Sequence, residues 1–169
     1  MHVLSGATQI HINATPNEVY AIVADISHTP EWSPEVINAR WAKGATGPAA
    51  GARFKGRNRS RLLVWTRKCE VVTAKPGDEF AFRTLHDLLN REGTLWSYTF
   101  QPSDGGTLVT ESYDADGVPT RFIRALAWML AARPDDMTPH MRTSLERIKE
   151  IAERQCARAP AHHTRKEEA

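Results

Sequence analysis

Asn58, Arg67, Tyr98, Glu111 and Tyr113 are the side chains of this chain best placed to do chemistry. Each falls at an alternate position of a segment whose same-parity neighbours are mostly aromatic or aliphatic. Trp65, Arg67, Cys69 and Val71 share one parity, as do Trp96, Tyr98 and Phe100, and then Val109, Glu111 and Tyr113. If these segments are strands, the polar groups look into an apolar space. A carboxyl placed there must find a cationic or hydrogen-bonding partner or keep its proton, because burying it charged and alone is prohibitive. Arg67 is the candidate partner for Glu111. Such a pair is either a structural contact or pocket equipment, able to anchor a ligand carbonyl or phenol or to move protons in an aldol-type ring closure. The aromatic residues have the same two readings, since Trp65, Trp96, Tyr98 and Phe100 would face inward in any well-packed sheet.

Other chemistries lack their motifs. There is no GxSxG elbow, no GxxxxGK or GxGxxG phosphate loop and no HExxH spacing among His11, His28, His86, His140, His162 and His163. His140 either looks into a pocket mouth or faces solvent in the first turn of its helix, the simpler reading. Cys69 and Cys156 stand far apart without ligand spacing, and mid-strand Cys69 reads as a small buried hydrophobe. No cofactor and no metal is expected.

The elements that would position these groups follow from periodicity. Ile10 and Ile12 alternate with Gln9, His11 and Asn13 in a first strand. Thr15, Pro16 and Glu18 supply an N-cap, a first-turn proline and a capping-box glutamate, and Val19, Ile22, Val23 and Ile26 continue at helical spacing. The segment His28 to Pro34, HTPEWSP, is a turn or short helix carrying Trp32 back onto the body. Strands are predicted over about 36–42, 51–59, 62–74, 79–85, 93–102 and 106–114, divided by Gly44, Gly47-Pro48, Pro76-Gly77-Asp78 and Asp104-Gly105-Gly106. With the first strand they make seven, too closely spaced for crossover helices and hence antiparallel. A helix over 119–132 precedes a long final helix starting at Asp136 or Thr138-Pro139, with Met137, Met141, Leu145, Ile148 and Ala152 on one face. A solvated tail is expected after about Arg158, leaving one domain over 1–158 and a tail over 159–169.

These motifs carry a resemblance: Glu31-Trp32-Ser33-Pro34, Phe54-x-Gly56-x-Asn58, WTRKCEV from Trp65, Phe80-Ala81-Phe82, Trp96-x-Tyr98, GTLVTE from Gly106 and MRTSLERIK from Met141. In this order, over about residues 8–155, the chain resembles the START-like (SRPBCC) helix-grip superfamily, in its polyketide cyclase/dehydrase branch. The resemblance implies an α+β helix-grip fold, a seven-stranded antiparallel sheet curved around the C-terminal helix, with two smaller helices after strand 1 and a further helix before the last. It also implies a cavity between sheet and final helix that takes a polyketide-, lipid- or isoprenoid-like molecule. The alternatives are a cofactor-independent cyclase, aromatase or dehydratase, and an interaction module. The expected pocket comprises Asn58, Trp65, Arg67, Trp96, Tyr98, Glu111 and Tyr113 from the strands, Leu126 from the helix before the last, and Met137, Met141 and Leu145 from the final helix. Segment 119–134 is expected to act as a lid, a homodimer contact or a core helix.

Composition bounds the rest. With 169 residues, 41% hydrophobic and 25% charged, the chain can bury one core, and a net charge of +2 singles out neither nucleic acid nor membrane. No apolar run is long enough to span a bilayer, the N-terminus lacks a signal-peptide plan, and the sparse cysteines fit a reducing cytoplasm. Residues 53–68 nevertheless carry seven basic side chains. Arg53, Lys55, Arg57, Arg59 and Arg61 fall on one parity, so a solvated outer stripe is the simpler reading and an anionic carrier protein, lipid headgroup or nucleic acid the alternative. Nucleic acid is not expected.

Overall fold

In the computed structural model, residues 4–42, 44–85, 93–115 and 136–158 are described. Strand β1 (Leu4–Ile12) leads into helix α1 (Pro16–Ala24), which starts where the capping box places it. The Glu18 carboxylate accepts from the Thr15 backbone N–H and hydroxyl, each at 2.7 Å, while the Thr15 hydroxyl accepts from the Glu18 N–H. Two backbone N–H groups that a bare helix end would leave to water are thereby paired. A 3-10 turn (Ile26–His28) and the one-turn helix α2 (Thr29–Trp32) follow and bury Trp32.

Strands β2 (Val36–Trp41), β3 (Arg53–Ser60), β4 (Leu63–Lys75), β5 (Glu79–Thr84), β6 (Thr94–Ser103) and β7 (Gly106–Ala115) complete the sheet. Its order is β1-β7-β6-β5-β4-β3-β2, antiparallel throughout. Consecutive strands pair because each joining segment from β2 onward is too short to do anything else; β1 pairs with β7 and so joins the beginning of the sheet to its end. The β6–β7 hairpin turns on Asp104 and Gly105, both at positive φ (45° and 76°), the backbone a right-twisted two-residue hairpin requires. The β3–β4 hairpin turns on Arg61 and Leu62 and holds Arg61 at a φ of 46°, at a cost of about 1 kcal/mol for a residue with a Cβ.

The long helix α3 (Thr138–Arg158) lies across one face of this sheet. Asp136 Oδ1 accepts from the Thr138 N–H at 2.9 Å at its start, and Met141, Ser144, Leu145, Ile148 and Ala152 form its buried stripe. Its second half is tied to the end of β1: Lys149 Nζ donates to the His11 carbonyl at 2.9 Å, and Glu153 Oε1 accepts from the Asn13 N–H at 3.0 Å. The core beneath this half joins Ile12, Val19, Val23, Phe80, Phe100, Val109, Leu145 and Ile148.

Two bulges alter simple alternation. The register shifts between Val36 and Asn38 and between Val71 and Thr73. In β4 the inward parity therefore passes from Cys69 and Val71 to Ala74, leaving Val72 exposed; in β2 it passes from Val36 to Ala39 and Trp41, leaving Ile37 exposed. The helix expected before the last, with Leu126 and Trp128, the residue His86 and the tail expected after Arg158 lie outside the described residues.

Candidate functional site

Between the first half of α3 and the part of the sheet formed by β2–β7 lies a cavity of about 140 Å³. Small side chains on the sheet create it. Gly56 on β3 faces inward, and a Cβ built on it would have no atom within 4 Å. Ala39 opposite it on β2 and Ser144 on α3 are similarly short. Around this gap stand Trp32, Phe54, Trp65, Phe82 and Trp96, with Met137 and Met141 from the helix side. An apolar wall with few polar groups is the usual makeup of a small-molecule site.

The polar groups are specific. Tyr98 and Glu111 are directly opposed across β6 and β7, and the Tyr98 hydroxyl donates to Glu111 Oε1 at 2.7 Å. Glu111 is 2% exposed, and its other oxygen, Oε2, has no hydrogen-bond partner among the described residues. Burial pushes its pKa up to about 8, the Tyr98 hydrogen bond opposing only part of the shift. The Tyr98 hydroxyl is itself held well above its ordinary range, first by burial and then by Glu111. Trp32 is 5% exposed, sets its ring edge-on to Tyr98 with centroids 6.1 Å apart, and has an indole Nε1–H that is also unpartnered among the described residues. At the rim, His140 Nδ1 of α3 comes within 3.4 Å of Glu35 Oε1.

The arrangement differs from the sequence expectation in several respects. Asn58, Trp65, Arg67, Trp96, Tyr98, Glu111, Met137 and Met141 do line one cavity. Tyr113 does not. It lies opposite Gly6 of β1, where an added Cβ would come within 2.8 Å of the Tyr113 ring, and the ring packs there against Trp96, Met137 and Met141. Leu145 is one turn too far along α3 and belongs to the core below the cavity. Arg67 is not the partner of Glu111: β5 and β6 separate their strands, roughly 14 Å of sheet at about 4.8 Å per step, and Tyr98 takes the role. The simpler, solvent-facing reading of His140 is also overturned, since it lines the cavity. Cys69 is buried, and desolvation pushes its thiol pKa up to about 12, which removes it as a nucleophile.

Reading by parity missed the contribution of the α2 turn, in which Trp32, Ser33, Pro34 and Glu35 close one side of the cavity. It also missed the Tyr98–Glu111 pair, although a signal for it existed. Counting outward from a two-residue turn at Asp104-Gly105 brings Tyr98 opposite Glu111. Among the described residues no three His, Cys, Asp or Glu side chains are grouped to hold a metal ion, and no helix is long and apolar enough to cross a membrane.

Residues 4–153 match the family described as polyketide cyclase / dehydrase and lipid transport. The fold is similar to that of the Polyketide_cyc-like protein Cgl2372 from Corynebacterium glutamicum, with a TM-score of 0.62 and 28% identity over 96% of this chain and 99% of that one. It is also similar to StfQ, a di-domain ARO/CYC of the steffimycin biosynthetic pathway, with a TM-score of 0.67 and 16% identity over 92% of this chain and 52% of that one. Major latex-like protein 151 from Panax ginseng has a TM-score of 0.64 at 15% identity, over 89% of this chain and 97% of that one. The curated proteins contain no match to this sequence.

Proposed function

We propose that this chain, which belongs to the polyketide cyclase/dehydrase and lipid transport family over residues 4–153, binds a small apolar molecule that carries a hydrogen-bond acceptor such as a ketone. The observation behind this reading is that Glu111 Oε2 and the Trp32 indole N–H, both on residues lining an apolar cavity, are buried with no hydrogen-bond partner among the described residues. With a pKa of about 8, the Glu111 carboxyl keeps its proton at neutral pH. Tyr98 already donates to Oε1, so the carboxyl proton is left on Oε2 as a donor. Two buried donors without acceptors are costly by themselves, and a ligand carbonyl would offset that cost with its two lone pairs. Aromatic walls at Trp32, Trp65 and Trp96 suit a flat or ring-bearing skeleton.

A paired comparison of probes tests this. Quenching of tryptophan fluorescence by 2-acetylnaphthalene is expected at roughly tenfold lower concentration than quenching by 2-ethylnaphthalene, which has the same skeleton without the acceptor. The preference should survive Glu111→Gln, whose amide still donates, and vanish in Glu111→Leu. Equal affinity for the two probes in the unaltered protein would overturn the reading.

The same carboxyl favours a second reading, cofactor-independent cyclisation, aromatisation or dehydration. A carboxylic acid with a pKa near neutrality is matched to general-acid work, protonating a carbonyl as an enol attacks it or a hydroxyl as it leaves. Here Glu111 is the acid, Tyr98 orients it, and Arg67 on the opposite wall polarises a second oxygen. Glu111→Gln separates the readings, since it would keep binding while abolishing turnover of a poly-β-ketone.

A further inference from the structure

The face of the sheet turned away from α3 carries a charge pattern that neither the cavity nor its ligand accounts for. Cross-strand register sets Arg40 of β2 opposite Lys55 of β3, and Lys55 opposite Lys68 of β4, so three cations stand side by side across three strands. Like charges in directly opposed positions destabilise a sheet, and here all three are exposed. Arg57 and Arg59 continue the outward stripe toward the hairpin tip, where Arg61 follows. The three strands contain one acid, Glu70, and it is already bonded to Arg53 at 2.7 Å. A surface built this way has its counter-charge on something else.

Interleaved with the cations are aliphatic side chains in water. Leu62 at the hairpin tip is 90% exposed, and Val64, opposite Arg59, is 44% exposed. Nucleic-acid surfaces pair cations with aromatic stacking groups, whereas an aliphatic tip ringed by arginines matches the boundary between acyl chains and phosphates. The tip also adjoins the cavity. Asn58 and Trp65, a facing pair in this same hairpin, line the cavity wall, and the turn lies roughly 10 Å beyond them at about 3.3 Å per residue.

We propose that the β3–β4 hairpin docks this protein on an anionic lipid bilayer, with Leu62 entering the headgroup region and Arg57, Arg59 and Arg61 engaging lipid phosphates. The docking is independent of which molecule the cavity takes.

Cosedimentation with vesicles tests it, using phosphatidylcholine alone and phosphatidylcholine mixed in equal parts with phosphatidylglycerol. Binding is expected to the mixed vesicles only and to weaken as salt is raised. Arg57→Gln and Arg59→Gln should each reduce it about fivefold, the contribution of one cation near an anionic surface. Leu62→Ser should reduce it roughly tenfold. Arg61→Gly relaxes the turn, so it should raise thermal stability while lowering vesicle binding, which separates docking from folding. Quenching by 2-acetylnaphthalene should be unchanged in all four variants, so a failure of docking is distinct from a failure of the cavity reading. No sedimentation with either vesicle, or sedimentation that Leu62→Ser leaves intact, would overturn the proposal. Tight binding to a single-stranded RNA oligonucleotide, insensitive to Leu62→Ser, would also overturn it and assign the face to nucleic acid.

Discussion

Glu111→Gln is expected to stabilise the protein, and by an amount that grows with pH. In the unfolded chain the Glu111 carboxyl titrates near its ordinary value of 4.5, and in the folded chain burial moves it to about 8. The sign follows from proton binding: between these values the folded state holds a proton the unfolded state has released, so stability falls as pH rises. Below pH 4.5 both states are protonated and nothing is lost. By pH 7 the loss is about 3 kcal/mol at 1.36 kcal/mol per pH unit, and above pH 8 it levels off at about 5 kcal/mol. Other ionisable groups line the same cavity: Tyr98 from β6, Arg67 from β4, His140 from α3 and Glu35 ahead of β2. Glutamine has nearly the shape of the neutral acid, accepts from Tyr98 through its oxygen and cannot ionise, so the substitution removes the loss while leaving these groups in place. Urea unfolding of both proteins at pH 5, 7 and 8.5 measures the difference directly, provided the dependence on urea is the same for both. The variant should match the parent to within about 1 kcal/mol at pH 5 and exceed it by about 3 kcal/mol at pH 7. A gain that is the same at all three pH values would refute the argument, because it would mean that Glu111 is ionised in the folded protein throughout.

Other substitutions probe the cavity and the frame around it. Gly56→Leu sends a side chain into open space, so thermal stability should be unchanged or higher while fluorescence quenching by 2-acetylnaphthalene is lost. Gly6→Val forces a Cβ to within 2.8 Å of the Tyr113 ring and should cost about 1–3 kcal/mol by thermal unfolding, with the Trp96 environment changed in near-ultraviolet circular dichroism. Thr15→Ala removes the capping box of α1 and should cost about 1 kcal/mol in urea unfolding without altering quenching by the probe.

The order of elements was legible because each carries its own local signature. Thr15, Pro16 and Glu18 act on a helix start only four residues long, and period-2 alternation in Phe54–Asn58, Trp65–Val71 and Trp96–Phe100 needs only the pleat of one strand. The stripe Met141, Leu145, Ile148 and Ala152 likewise needs only the helical repeat. These patterns sufficed to turn Glu111 inward. The bulges after Val36 and Val71 escaped, since one extra residue reverses a face without leaving a mark in composition, and so Ile37 and Val72 are exposed.

The sequence by itself thus determined which side chains face the interior wherever no bulge interrupts a strand, because there facing is a property of a single element and its period. The tertiary structure decided which of them meet. Arg67 and Glu111 share a side of the sheet, yet strand order keeps them apart and hairpin register places Tyr98 against the carboxyl instead. Tyr113 shares the parity of Glu111, yet the space over Gly6 on a strand about a hundred residues earlier draws its ring away from the cavity. Trp32 enters from a turn with no strand parity at all and sets its ring edge-on to Tyr98. Each of these depends on distances between elements remote in the chain, which only strand order, register and packing set.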